Sequence, residues 1–456
     1  MNFRDFLDFL KEKGALLEIE KECSIDLEIS KKIKKHDGKP VFFPKVKDHS
    51  IPIVSGLYGF RSAFTLAVNT PSRSFSGDSL ASITGMKPIP ASNPASFISH
   101  LCDALDNTVE PEISSDNGKA PCQEVMEKPR YLQEIPVLKH LSLDGGRYIT
   151  SGIAVYNCPR YGRNISYHRM MVIGEDKLVA RVVENRGLDT AMNEMGGKPV
   201  EAAIIIGNSP QVMVAGSTSP EKGVDELSIA NALHPISLVK CKSIDVHVPT
   251  DSEIIIEGRF IQEKADEGPF LDLTGTLDII RKQPIFEVSC ITHRKDPIYH
   301  ALLPASREHE FLMGLPREAT MLKELRKLKY VKDVRLTPGS SHWFNAVVQV
   351  DAGENYDPVN TFKSCFKGHG SLKNCIVVDE DIDIDDPMDL EFAITTRCQF
   401  DKDLHLFKGE RGSSLDPSAN QVTRETCKTG IDATIPRGKD PENFRKIAYD
   451  DDTECS

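Results

Sequence analysis

The feature that most constrains this chain is the succession of short, β-branched-rich runs between Ile149 and about Arg294. Ile153–Tyr156, Ile165–Ile173, Lys177–Val183, Ala202–Ile206, Val212–Ala215, Ile254–Ile261 and Ile285–Thr292 all read as strands, divided by Gly, Pro, Asn or Asp. One helix, about 224–233, interrupts them. Many strands with so few helices predict a small barrel or closed sheet rather than a doubly wound sheet.

On either side the texture changes. Phe3, Phe6, Leu7 and Leu10 recur at helical spacing, and Ile25 to Ile33 predict a second helix ending near Asp37-Gly38. Short strands follow at 40–43 and 51–54, then a helix capped by Asn93 with Pro94 in its first turn. Residues 107–122 are polar and irregular and mark a first boundary. After Pro316 a helix at 317–328, strands near 331–336, 344–350 and 375–378, and a helix at 358–367 predict an α/β domain. The acidic run Asp379 to Asp386 reads as a solvated loop, because it lacks the glycine of a calcium-binding EF-hand loop. The expected organisation is therefore 1–120, 121–316, 317–436 and a polar tail, 437–456.

Polar groups among buried strands must be paired or must bind something. Asn164-Ile165-Ser166-Tyr167-His168-Arg169 opens the candidate site, and Glu267-Gly268-Pro269-Phe270-Leu271-Asp272 closes it. Between them lie Arg181-Val182-Val183, Asn185-Arg186-Gly187 and Asp225-Glu226. Asn164 and Arg169 are five apart, so a regular strand would turn them to opposite faces and only a bend could bring both to one ligand. His168 reads more readily as a satisfied structural ring than as a base. Two carboxylates flanking an apolar Gly-Pro loop should part in their protonation, as a general acid requires.

The 456 residues carry a formal charge of −12, which argues against nucleic acid or an anionic membrane as the main partner. A phosphate-bearing ligand would need local help from a metal or arginine. No run approaches the ~18 apolar residues of a membrane span. Eleven scattered cysteines without a C-x-x-C fit free thiols in a reducing cytoplasm.

In order and spacing, these motifs resemble the UbiD family of prenylated-flavin decarboxylases. Ile298-Tyr299-His300, Ala393 to Arg397 and Lys428 to Thr434 extend the likeness, and Leu303 to Glu318 looks most like its archaeal branch. The resemblance implies an α+β fold with a split β-barrel cofactor domain between N- and C-terminal α/β parts. It implies prenylated FMN, supplied by a flavin prenyltransferase, with its phosphate held through Mn2+ or another hard divalent cation and K+ nearby. Asn164, Glu226 and Asn185 would be metal ligands, although the family commonly has histidine where Asn185 stands. Tyr167, His168, Arg169, Arg181, Val182, Val183, Arg186, Gly187 and Lys428 would contact the cofactor. Glu267, Arg169 and Asp272 would form the reacting network; the resemblance leaves either acid eligible as the proton donor, and the apolar Phe270, Leu271 and Leu273 flanking Asp272 favour it, with Glu267 paired to Arg169. The reaction implied is non-oxidative decarboxylation of an unsaturated acid by a homo-oligomeric enzyme. The archaeal branch points to trans-anhydromevalonate 5-phosphate, giving isopentenyl phosphate, with Arg307, His309 and Arg317 as candidates for the phosphate. An aromatic acid of the 4-hydroxybenzoate type, or a flavin-binding subunit without chemistry, are the alternatives.

Overall fold

The computed structural model describes residues 1–68, 94–115 and 120–447. They form a mixed α+β fold that divides into two compact units, Met1–Pro316 and the chain from Arg317 onward.

The first unit is built on one nine-stranded antiparallel sheet. Its strands are β1 (Val125–Glu127), β2 (Tyr148–Ile149), β3 (Ile153–Cys158), β4 (Gly162–Tyr167), β5 (Met170–Val172), β6 (Lys177–Ala180), β7 (Val200–Ile206), β8 (Ile254–Glu267) and β9 (Arg281–His293). They are ordered β2-β5-β6-β9-β8-β7-β3-β4, with β1 added beside β9. The two ends of this path are tied by very short links: β4 reaches β5 through His168 and Arg169, and β2 reaches β3 through residues 150–152. His168 N–H donates to the Gly152 carbonyl at 3.4 Å between those links. The sheet thus curls round, but among the described residues no ladder closes it into the barrel expected from the strand texture. Its concave side buries Tyr156, Ile204, Ile256, Phe260 and Phe286 in one core.

Several elements differ from the sequence reading for physical reasons. Ile165–Ile173 is two strands, not one, and the break falls on His168 and Arg169. Val212–Ala215 is not a strand but lies in a helix, Pro210–Ser217, buried at all eight positions. A helix without a polar face shows no helical period, so its apolar run imitates a strand. The helix placed at 317–328 starts ten residues earlier, at Arg307, and runs through Pro316 to Leu325. Its first turn is held by Glu308, whose carboxylate accepts from the backbone N–H groups of Gly56 (2.7 Å) and Tyr58 (3.1 Å). Helix Glu226–Leu233 forms as expected, capped by Asp225, and helix Gly187–Glu194 was not foreseen. The helix at Pro94–Asp106 is present, while its expected cap, Asn93, lies outside the described residues, as do 448–456 of the tail.

The second unit carries a five-stranded mixed sheet flanked by helices Pro358–Gly368 and Pro387–Arg397. Two of its strands, Leu404–Arg411 and Glu425–Ala433, escaped the sequence reading. The acidic run is partly structural: Asp379 and Asp381 bind the buried Arg397, and Asp386 caps the helix that carries it.

Candidate active site

The break between β4 and β5 resolves the conflict between Asn164 and Arg169. Asn164 lies on β4, whereas Arg169 lies past the break and points at the end of β8. There its guanidinium grips Glu267 with two hydrogen bonds, Nε to Oε1 at 2.9 Å and Nη2 to Oε2 at 3.0 Å. Nη1 reaches Asp272 at 2.8 Å, and Nη2 also reaches Asp278 at 2.6 Å. Arg169 thus binds both acids of the expected network and a third, Asp278, besides. The Phe270 ring lies 4.8 Å from the guanidinium carbon.

Local structure explains the convergence. After β8, Gly268 adopts a φ of +102°, and a β-carbon there would come within 2.8 Å of the Ile279 carbonyl. That backbone suits glycine alone. The chain then makes a small hairpin, Phe270–Leu271 against Leu277–Asp278, which sets Asp272 at its turn and Asp278 opposite Phe270. Tyr148 supports the network from β2: its hydroxyl donates to Glu267 Oε1 at 3.3 Å and accepts from Gly268 N–H at 3.0 Å. Burial and the neighbouring Glu267 carboxylate push the Tyr148 phenol well above its ordinary range. Burial alone would lower the charge affinity of Arg169, but Glu267, Asp272 and Asp278 outweigh it and keep it protonated. Asp278 is also pushed up by burial, yet hydrogen bonds from Arg281 and Arg169 hold it below the ordinary carboxylate value.

Sequence reasoning missed Asp278, Tyr148 and Arg281. Only the cross-strand register of the hairpin brings Asp278 to Arg169, and no spacing rule shows that.

Two cavities meet at this point. The smaller, about 160 Å³, is lined by Arg169, Asp272 and His309 with the apolar side chains of Phe270, Leu302 and Leu312. The larger, about 280 Å³, is lined by Asn164, Val182, Asn185, Arg186, Gly187 and Glu226. Tyr167, His168, Arg181, Val183 and Met313 line both, so the two are continuous in their walls. Glu267 lines neither and is fully buried behind Arg169. His168 is bonded at both ring nitrogens, to Ser166 Oγ and to the Arg181 carbonyl, each at 2.9 Å. Burial lowers its proton affinity.

At the far end, Asn164 donates its amide to both Glu226 oxygens at 2.9 and 3.1 Å, and Tyr156 donates to the Asn164 oxygen. Desolvation, only partly offset by the Ile165 N–H bond, pushes Glu226 up to about 8. A buried carboxyl in that state is one that a cation would relieve of its proton. Gly187 is packed so tightly that a β-carbon would stand 2.7 Å from the Asn164 oxygen and 2.5 Å from the Tyr156 hydroxyl. Asn185 adopts a φ of +63°, which asparagine tolerates, and turns its backbone N–H to Asp189. One carboxylate and two amides around one cavity are oxygen donors of the kind hard cations prefer. Among the described residues no three His, Cys, Asp or Glu side chains cluster as a ready metal site.

Two expected phosphate ligands are not among the lining residues of these cavities. Arg307 is exposed, and Arg317 belongs to the second unit, where it lies 5.6 Å from the Trp343 ring. Only His309 of the three lines the smaller cavity. Lys428 also belongs to the second unit, with its ammonium donating to the Gly370 carbonyl at 2.8 Å.

Family models match almost the whole chain: the 3-octaprenyl-4-hydroxybenzoate carboxy-lyase N-terminal domain at 7–77, its Rift-related domain at 114–307 and its C-terminal domain at 310–433. This chain belongs to the UbiD family. Anhydromevalonate phosphate decarboxylase of Methanocaldococcus jannaschii is 38% identical, over 93% of this chain and 95% of the relative. The Methanosarcina mazei protein of the same name is 38% identical, over 95% and 96%. The UbiD-class enzyme HmfF from Pelotomaculum thermopropionicum, solved in complex with FMN, superposes with a TM-score of 0.88 at 35% identity, covering 98% of this chain and 97% of that one. An evolved dimeric form of HmfF has been solved with prFMN. The UbiD membership expected from the motifs is thereby established.

Proposed function

We propose that this protein is a carboxy-lyase that decarboxylates anhydromevalonate phosphate with prenylated FMN. The observation that carries this reading is the shared lining of the two cavities: residues suited to a phosphate and its metal meet residues suited to proton transfer. The curated relatives named above supply the substrate, and the HmfF complexes supply the cofactor.

In this reading Glu226, Asn164 and Asn185 hold Mn2+ or another hard divalent cation, with K+ close by. Tyr167, His168, Arg181, Val182, Val183, Arg186 and Gly187 line the cofactor. The family resemblance alone assigns Lys428 to it. When bound, the modified flavin supplies the electron sink that lets carbon dioxide leave. Arg169 has five N–H groups, four of them engaged by carboxylates, so one Nη1 hydrogen is left to steer the substrate carboxylate. Glu267 fixes the guanidinium from behind. Asp272, which lines the smaller cavity, delivers the proton to the carbon that carbon dioxide leaves. Phe270, Leu302 and Leu312 exclude water from that end, and His309 meets the polar end of the substrate.

We read the curled sheet as the split barrel of a domain at 121–316, with further domains at 1–120 and 317–436 and a tail at 437–456. Ten described cysteines are all free, consistent with work in a reducing cytoplasm. No helix among the described residues is long and apolar enough to cross a membrane. Assembly into a homo-oligomer and supply of the cofactor by a flavin prenyltransferase complete the proposal.

The test is a competition. Protein co-expressed with a flavin prenyltransferase should release carbon dioxide from anhydromevalonate phosphate faster than from 4-hydroxybenzoate. Equal or faster turnover of the aromatic acid, the substrate type in the family's own name, would reverse the assignment.

A further inference from the structure

Arg169 is surrounded by more negative charge than it can balance. Three carboxylates, those of Glu267, Asp272 and Asp278, bind one guanidinium, and its side chain is only 10% exposed. Arg281 adds a second cation, but it bonds to Asp278 alone of the three. Like charges gathered in a partly desolvated site raise one another's cost of ionisation. How far each is compensated follows from its partners.

Asp278 has two cationic partners, Arg169 and Arg281, and accepts as well from Ile279 N–H at 2.9 Å. Glu267 has both oxygens on Arg169 and a further bond from Tyr148. Asp272 has one bond from Arg169 and one from its neighbour, Leu273 N–H, at 2.7 Å. It is the most exposed of the three side chains, at 22%, and the only one lining the cavity. Asp278 lines neither cavity and can act only through Arg169. Its place in the fold suits that role. It sits opposite Phe270 in the hairpin whose turn carries Asp272, so it ties that hairpin to the guanidinium.

We propose that Asp278 is a positioning residue: it is the standing counter-ion of Arg169, and it thereby frees Asp272 to take up and release a proton without loosening the guanidinium. The inference deepens the decarboxylase reading and rests on it for the use of that proton. The other charged or titratable groups around the network are Arg181, Tyr148 and His309, with Glu184 acting on Arg181 and Glu308 and Glu310 acting on His309; the Glu308 carboxylate is held by Gly56, Tyr58 and His300.

The test separates charge from packing. In flavin-loaded protein, infrared difference spectroscopy reads the protonated carboxyl of the network, with Asp272→Asn marking its band. Asp278→Asn keeps the shape and removes the charge. The network must then keep another acid ionised beside Arg169, so the titration midpoint should fall by about one pH unit. The alkaline limb of the rate profile should fall with it. Asp278→Glu should return both toward wild type, and Arg281→Gln, which removes a cation, should move both upward. A midpoint that stays put in Asp278→Asn overturns the proposal, as does one that Asp278→Glu fails to restore. Should Asp278→Asn not fold, an unmoved midpoint in Arg281→Gln is decisive in the same sense. The titration needs no substrate, so failure to release carbon dioxide would count against the decarboxylase and not against Asp278.

Discussion

Glu267 and Asp272, the two acids singled out in the sequence, both touch Arg169, and the structure distinguishes them by what lies on their other side. Asp272 faces the cavity, whereas Glu267 faces the protein, with no exposed surface. Their substitutions should therefore fail differently. With Asp272 as the proposed donor, Asp272→Asn should slow carbon dioxide release by about 100- to 10,000-fold, with the flavin spectrum retained. Glu267→Gln weakens two buried hydrogen bonds to Arg169, which keeps Asp272 and Asp278 as counter-ions, and should cost on the order of 1–3 kcal/mol of stability. Single-turnover rates set beside urea unfolding would separate the two. A stable Glu267→Gln with no turnover, together with a competent Asp272→Asn, would exchange their roles.

The same distinction appears between elements. The hairpin that carries Asp272 leans on the segment 140–148, where Gly145 N–H donates to the Pro269 carbonyl at 2.9 Å and His140 meets the Phe270 ring edge-on. Burial pushes His140 down to about 3, so the native protein holds this ring neutral. Between pH 6.5 and 3 the unfolded chain binds a proton there that the folded chain refuses. Stability therefore rises with pH across that window and is lost on acidification. His140→Phe should remove about one proton from the slope of unfolding free energy against pH in that window. An unchanged slope would mean that the ring is not buried neutral. The sequence revealed the elements marked by β-branched runs. Strands such as Val200–Ile206 and Asn345–Val350 were readable because β-branched residues recur between clear punctuation. It concealed those defined by their surroundings. Pro210–Ser217 is apolar on every side, and Arg307–Leu325 tolerates a proline that a local reading takes for a boundary. The site was legible as motifs, because Asn164, Arg169, Glu267 and Asp272 keep a recognisable order. Asp278 was not, since its role is created by hairpin register rather than by distance along the chain.

At the scale of the whole molecule, charge decides how the cofactor can be held. A chain of net charge −12 repels a flavin phosphate before any contact forms. Within the larger cavity Glu226 adds a further negative group whenever it ionises, and no lysine but Lys222 stands among the lining residues. A divalent cation between Glu226 and the phosphate would convert that repulsion into attraction at the one place where it matters. Chelation should therefore weaken FMN binding to the flavin-free protein sharply. The weakening should itself depend on salt. Without the metal, the long-range field is what opposes the anion, and it is screened as the Debye length falls from about 30 Å at 0.01 M to about 3 Å at 1 M. Chelated protein should accordingly regain part of its FMN affinity as salt rises. Metal-loaded protein, which in the proposed reading relies on a short, partly buried contact, should change much less. Isothermal titration across that salt range, with and without chelator, reads both effects. FMN affinity that ignores the chelator at every ionic strength would remove the metal from the phosphate and leave Arg181 and Arg186 to hold it.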